Sequence, residues 1–326
     1  MSFKTIRYIL IIFLVLLSSL SEAQRWKRDR YEFVYGLGVS NFTGDVGSRR
    51  ADQNFFYEYG LWVNIRSIRP VGNVGFRYKL LERLDVKASL NFGLLSNDDW
   101  YGSWRSRNLS FRTTIVELST QAEYTIIKEK KRINILRHHR NKLIRRLRNL
   151  NIPVYLFAGV GGMYFNPQTK YRGEWYNLQP LGTEGQGLEP IYNAQTGNLI
   201  YDPPDNHDSR FTATFPLGIG FKLRLTKKVM LSMEASMRYT LTDYIDDAGG
   251  YYYDGLLLAE GNGELAAKLA SRFWELPQYN DQYWKWIKPG GQRAGDWVDT
   301  YQFIMFSLNY QLKTTRRGLP RFKSVY

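Results

Sequence analysis

The sequence predicts an all-β chain, an eight-stranded antiparallel transmembrane β-barrel with long extracellular loops and a short loop helix. Three observations carry that expectation. Eight stretches alternate apolar and polar residues with period two, short connections alternate with long ones, and a secretory leader opens the chain.

The leader reads as Lys4 and Arg7, then an apolar run from Tyr8 to Leu17, then small residues ending at Ser21-Glu22-Ala23. That is the layout of a signal peptide over 1–23, with Gln24 as the first mature residue. The run is too short for a spanning helix, which needs about 20 apolar residues, and no later stretch approaches that length. The chain has no cysteine, so a lipid-bearing cysteine, disulfides and thiol chemistry are all excluded.

Odd positions from Phe211 to Leu225 are all apolar, whereas the even ones read Thr212, Thr214, Pro216, Gly218, Gly220, Lys222 and Arg224. Val229 to Leu241 repeats the alternation with one break at Met230, and only Lys227-Lys228 and their neighbours separate the two runs. A hairpin of long strands follows. The same reading gives Pro70 to Leu80 and Leu84 to Leu94, joined at Glu82-Arg83, and further strands near Tyr31 to Asn41, Thr114 to Ile126, Ile152 to Phe165 and Gln302 to Leu312.

Strands of soluble proteins average about 5 to 6 residues, whereas tilted spanning strands need about 9 to 11. Leu80 to Leu84 and Leu225 to Val229 are short connections, but 42–69, 95–113, 166–210 and 243–301 are long. Short turns at one rim and long loops at the other are the outer-membrane pattern. In lipid an open sheet edge would strand its amides, so the strands must close, giving a barrel domain over 24–312 and a basic tail over 313–326.

Eight strands leave an interior wide enough only for side chains. The inward positions include Glu32, Asp85, Glu117, Glu123 and Glu234 against Arg77, Lys79, Lys87, Lys222, Arg224 and Arg238. Five acids facing six bases read as a cross-lumen ion-pair network, because a buried charge without a partner costs far more than a paired one. A plugged lumen is expected; a narrow solvated channel is the alternative.

The connection between the fourth and fifth strands breaks the short-turn rule. Lys128 to Leu150 carries Lys128, Lys130, Lys131, Arg132, Arg137, Arg140, Lys142, Arg145, Arg146 and Arg148 against the single Glu129. That is about nine of the net +15 charges. Strand counting from a periplasmic N-terminus puts it on the periplasmic side. It reads as a docking element for an acidic periplasmic protein, a contact for inner-leaflet phospholipid, or a solvated loop. Nucleic acid is not an expected partner.

The outer loops hold Trp100, Tyr101 and Trp104, then Trp175 and Tyr176, then Tyr251, Tyr252, Tyr253, Trp274, Tyr283, Trp284, Trp286 and Trp297. Such residues pack into a cap or bind glycans and proteins. A short helix is expected from Glu264 to Trp274, after the Gly261-Asn262-Gly263 turn. Asp243, Asp246 and Asp247 could offer calcium their oxygens, but their spacing is not that of an EF-hand, and no metal or cofactor is expected. His207 beside Asp208 is the one pair with acid–base potential, and a solvated loop is its plainer reading. No catalytic residue is expected.

GLGVSNFTGDVG at Gly36 to Gly47, RNLSFR at Arg107 to Arg112, YLFAGVGGMYFNP at Tyr155 to Pro167, WYNLQPLGTEGQGL at Trp175 to Leu188 and YTLTDYIDD at Tyr239 to Asp247 together resemble the PorG-like family of outer-membrane β-barrels from Bacteroidota. The resemblance covers most of 31–254 and the last strand. It implies a structural component of a type IX secretion or gliding machine, tying a periplasmic ring of PorK-like lipoprotein and PorN-like protein to the outer membrane. The basic 128–150 connection and the 256–300 segment look like elaborations on the family pattern. A surface receptor or adhesin and a small-solute channel are the rival functions.

Overall fold

Eight strands pair each with its sequence neighbour, all antiparallel, and the last closes on the first. The computed structural model describes residues 30–47, 65–101, 104–128, 152–226, 228–278, 282–295 and 298–312. The signal peptide, the basic connection beyond Lys128 and the tail over 313–326 lie outside them.

The wall consists of β1 (Tyr31–Thr43), β2 (Arg69–Lys79), β3 (Leu84–Asp98), β4 (Ser110–Ile127), β5 (Val154–Tyr171), β9 (Phe211–Arg224), β10 (Val229–Thr240) and β11 (Thr300–Leu312). Above it lie three short strands, β6 (Glu174–Asn177), β7 (Ile191–Tyr192) and β8 (Leu199–Tyr201). Following partners around the wall leads from Tyr31 through Tyr78, Val86, Ala122, Ala158, Leu217, Met237 and Gln302 back to Asn41. The circuit returns ten residues higher on the starting strand (41 − 31). With about 3.3 Å per residue and about 4.8 Å between strands, that stagger tilts the strands about 40° from the axis, within the range for closed barrels.

Alternation sorts the two faces. Tyr35, Leu37, Leu118, Val160, Leu217, Phe306 and Leu308 point outward and are exposed, while Glu32, Asn73, Arg77, Lys87, Glu117, Glu123 and Asn309 point inward and are buried. An apolar exterior wrapped around a polar interior is the inverse of a soluble domain and suits a hydrocarbon surround. No helix among the described residues is long and apolar enough to cross a membrane. The bilayer is crossed by strands.

Three strands run past the ends that alternation gave them: β3 continues to Asp98, β4 begins at Ser110 and β5 continues to Tyr171. Polarity inverts there. Outward positions become Arg112, Asn166, Gln168 and Lys170, whereas Leu95, Phe111, Phe165 and Tyr171 turn inward into an apolar core. Beyond the lipid the outside is water, so a search for apolar-out strands stops at the membrane edge.

That core belongs to a cap made from the long loops. Ile245, Leu258, Leu269, Trp274 and Trp284 pack with Phe42, Phe111 and Phe165 at the top of the wall. The helix expected from Glu264 is a short one over Glu264–Ala270 (α2), and an unexpected helix, α1 (Gly255–Gly261), precedes it. Asp254 caps α1, its side chain accepting from the Leu256 and Leu257 amides. The helix expected to reach Trp274 stops at Ala270, because Ser271 turns extended and Trp274 folds back, its indole donating to the Lys268 carbonyl at 3.0 Å.

At the opposite rim the turns are tight. The Leu80 and Leu81 amides donate to the Leu84 carbonyl, and those of Leu225 and Thr226 to that of Val229. Tyr31, Leu312, Ile127 and Val154 end at this rim too, so the basic connection leaves and re-enters the wall here.

Candidate functional site

Arg77, fully buried on β2, centres the membrane-level interior. Its guanidinium lies 2.9 Å from Glu32 on β1, 2.9 Å from Glu123 on β4 and 3.3 Å from Glu234 on β10. Lys87 sits 2.5 Å from Glu234, and Lys222 reaches Asp85 at 3.0 Å and Glu123 at 3.1 Å. Four carboxylates thus share three cations drawn from opposite walls. A second group lies higher, where Arg238 meets Glu117 at 2.9 Å and the Tyr301 hydroxyl donates to the same carboxylate.

Two of the lysine and arginine positions expected in this network sit at its edge. Lys79 lies 3.7 Å from Asp85 with its side chain 30% exposed, and Arg224, at the end of β9, is exposed and donates to Gln311 at 3.4 Å. Both are close enough to the periplasmic mouth for their charges to be hydrated. The network also recruits residues that a count of charges overlooks: the Tyr155 hydroxyl donates to Glu234 at 2.7 Å, and the Asn91 amide to Glu117 at 2.9 Å. Both share the inward parity of the charged residues on their strands. That parity was the available signal.

Above the ions, Phe42, Ile115, Met163, Phe165, Phe303 and Met305 fill the upper interior. The lumen is therefore closed in two ways, ionically below and by apolar packing above.

The loop motifs converge at the base of the cap. Arg107 grips Asp99 through two hydrogen bonds of 2.8 Å and donates to the Asp45 carbonyl, while Asp99 also accepts from the Gly47 and Leu109 amides. Asp246 accepts from the Val46 amide at 2.8 Å. Thr183 donates to Asp247 at 2.7 Å, and Glu184 binds Arg293 at 2.7 Å and the amides of Gly249 and Gly250 at 3.1 Å. Arg293 bridges the halves by donating to the carbonyls of Ala270 and Asp247. Residues from all four outer loops meet in one buried junction.

Burial governs the protons here. It raises Asp247 to about 7 against the pull of Arg293, and half-buried Asp208 to about 6. Burial and then the Asp45 charge push Asp246 well above the carboxylate range, and burial followed by Asp246, Asp243 and Asp45 does the same to Asp299. Gly185 holds a φ of +84° with the Tyr253 ring against its α-carbon, a position closed to any side chain.

Of the three aspartates considered for calcium, Asp246 accepts from the Val46 and Ala248 amides and Asp247 from Thr183. Among the described residues no group of His, Asp or Glu is arranged to hold a metal ion. His207 is exposed, and Asp208 accepts from Gln186 at 3.2 Å. Of the basic positions expected to contact a partner, Lys128 is described, 2.9 Å from Glu82 in the neighbouring turn; Lys130 to Arg148 lie outside the described residues.

No protein-family model and no curated protein matches the chain. Solved structures do. Neisserial surface protein A is 7% identical with a TM-score of 0.34, over 86% of this chain and 96% of that one. Ail of Yersinia pestis is 10% identical with a TM-score of 0.33, over 87% and 99%, and OprG from Pseudomonas aeruginosa 7% with 0.36, over 88% and 98%. The closure into eight strands stands on the chain's own registers. A closed eight-stranded barrel with an apolar outer face and a polar, filled interior, it is a protein of the bacterial outer membrane.

Proposed function

We propose that this barrel is a non-enzymatic platform in the outer membrane that docks a periplasmic partner, as a component of a type IX secretion or gliding machine. The observation that carries the reading is the sealed lumen, which leaves the rims as the working surfaces. The basic connection between Ile127 and Val154 supports the periplasmic rim as the docking side, with an acidic protein or lipoprotein of a secretion ring, PorK/PorN-like, as partner. Co-purification after mild detergent extraction tests it. Replacing Arg137, Arg140, Arg145, Arg146 and Arg148 by Gln should release the partner, and its retention would refute the basic contact.

A receptor or adhesin is the second reading, favoured by one observation. Trp100, Trp104 and Trp175 stand exposed on a cap whose own core is already filled. Because 256–300 supplies that core, its deletion would unfold the cap; replacing the three tryptophans by Ala is the cleaner test. Binding of glycan or protein by whole cells should fall with them, and an unchanged level rules the reading out.

A further inference from the structure

On the outer wall, where β4 and β5 cross the upper part of the lipid band, Leu90, Val116 and Leu118 face Tyr164 and Phe211 across Gly162. They line an open groove of about 510 Å³. Its floor exists because Gly162 has no side chain; a β-carbon there would meet nothing within 4 Å. Its far bank ends early, since β9 leaves β5 at Tyr164–Phe211 while β5 continues to Tyr171. Leu118 and Phe211, 63% and 70% exposed, turn their apolar surface to the hydrocarbon.

Cations crown the groove. Four residues up β4 from Val116, Arg112 points outward, its Nε donating to Gln168 at 3.2 Å and its guanidinium stacked 3.3 Å from the centre of the Trp175 ring. Lys170 faces Trp175 in register and is exposed. Arg210 adjoins the groove head, its carbonyl accepting from the Phe165 amide at 3.0 Å and its side chain donating to Gln179 at 3.0 Å. None of the three forms an ion pair among the described residues. The apolar slot and the cations are stacked in the order in which a lipid stacks acyl chain and phosphate.

We propose that this groove and its basic crown bind an anionic, phosphate-bearing lipid of the outer leaflet, an acyl chain lying over Gly162 and the phosphate on Arg112, Lys170 and Arg210. Stacking on Trp175 fixes the plane of the Arg112 fork, which matches phosphate geometry better than a free side chain would. The position suits the occupant. About 13 Å of strand separates Val116 from Arg112, enough to span from the hydrocarbon edge into the headgroup layer.

The test is native mass spectrometry of the full chain in mild detergent, titrated with diphosphorylated lipid A and with the same lipid stripped of its phosphates. The wild type should retain the phosphorylated lipid in preference. Replacing Arg112, Lys170 and Arg210 by Gln should weaken that retention by about tenfold or more, since the charge-assisted contacts to phosphate are lost. Gly162→Leu should weaken binding of both lipids by filling the slot. Heat-modifiable migration on gels confirms that each variant is folded. Equal retention of the two lipids by the wild type, or undiminished lipid A binding in a folded triple variant or in Gly162→Leu, would overturn the proposal.

Discussion

Lys222 on β9 crosses the lumen to Asp85 on β3, Nζ to Oδ2 at 3.0 Å, and meets Glu123 on β4 at 3.1 Å. One side chain therefore ties β9 to the adjoining pair β3 and β4, past the intervening β5. Together with Arg77 and Lys87 it makes the interior a set of cross-braces, and the braces are interdependent because Glu123 serves all three cations and Glu234 serves two.

Removing one member of this set should hurt more than removing a matched pair. Glu234→Ala strips Arg77, Lys87 and Tyr155 of a partner at once, and breaking a buried pair costs about 3–5 kcal/mol. Adding Lys87→Met to it should restore part of that loss. Urea unfolding in lipid, followed by gel mobility, reads both. Planar-bilayer recordings of the wild type should be silent, and a steady conductance would mean that the braces do not seal the lumen.

Arg293 plays the corresponding part in the cap. Arg293→Gln leaves Glu184 buried without its cation, again at a cost of about 3–5 kcal/mol, but confined to the loops. Protease added to intact cells should cut the third and fourth outer loops of the variant while its barrel stays heat-modifiable. Pairing it with Glu184→Gln should slow the cutting.

The cap should tighten on acidification. Asp247 and Asp208 start from an ordinary value of 3.8 and are raised by burial to about 7 and about 6. Between the ordinary and the raised values the folded cap holds more protons than the unfolded one, so stability is lost as pH climbs through that interval. Hydrogen exchange in the cap, corrected for its intrinsic pH dependence, should be better protected near pH 5 than near pH 8. Equal protection at both would contradict the assignment.

Gly220 and Gly162 make a matched pair of probes. A β-carbon at Gly220 would sit 2.1 Å from the Tyr155 ring, so Gly220→Ala should displace Tyr155 from Glu234 and cost about 1–3 kcal/mol as overpacking. Gly162→Ala enters open space and should shift the urea midpoint little.

The wall was legible because one face of each strand meets hydrocarbon, and lipid keeps that face free of charge for as long as the strand stays in it. The same rule explains where the reading stopped. Above Thr114 on β4 and Phe165 on β5 the surround changes, and the strand continues under the opposite polarity. The α1 helix escaped notice although its cap, Asp254 ahead of Gly255-Leu256-Leu257, is written in the chain. A run of seven residues is too short for helical periodicity to stand out from a loop.

From composition and alternation alone came the strand number, the inward charges and the side on which each loop emerges, because all three follow from the parity and order of residues along the chain. Which cation meets which carboxylate could not come that way. Arg77 and Glu234, or Arg107 and Asp45, become neighbours only when the stagger of the whole barrel brings distant strands and loops to one height, and that stagger is a property of the closed wall rather than of any segment of it.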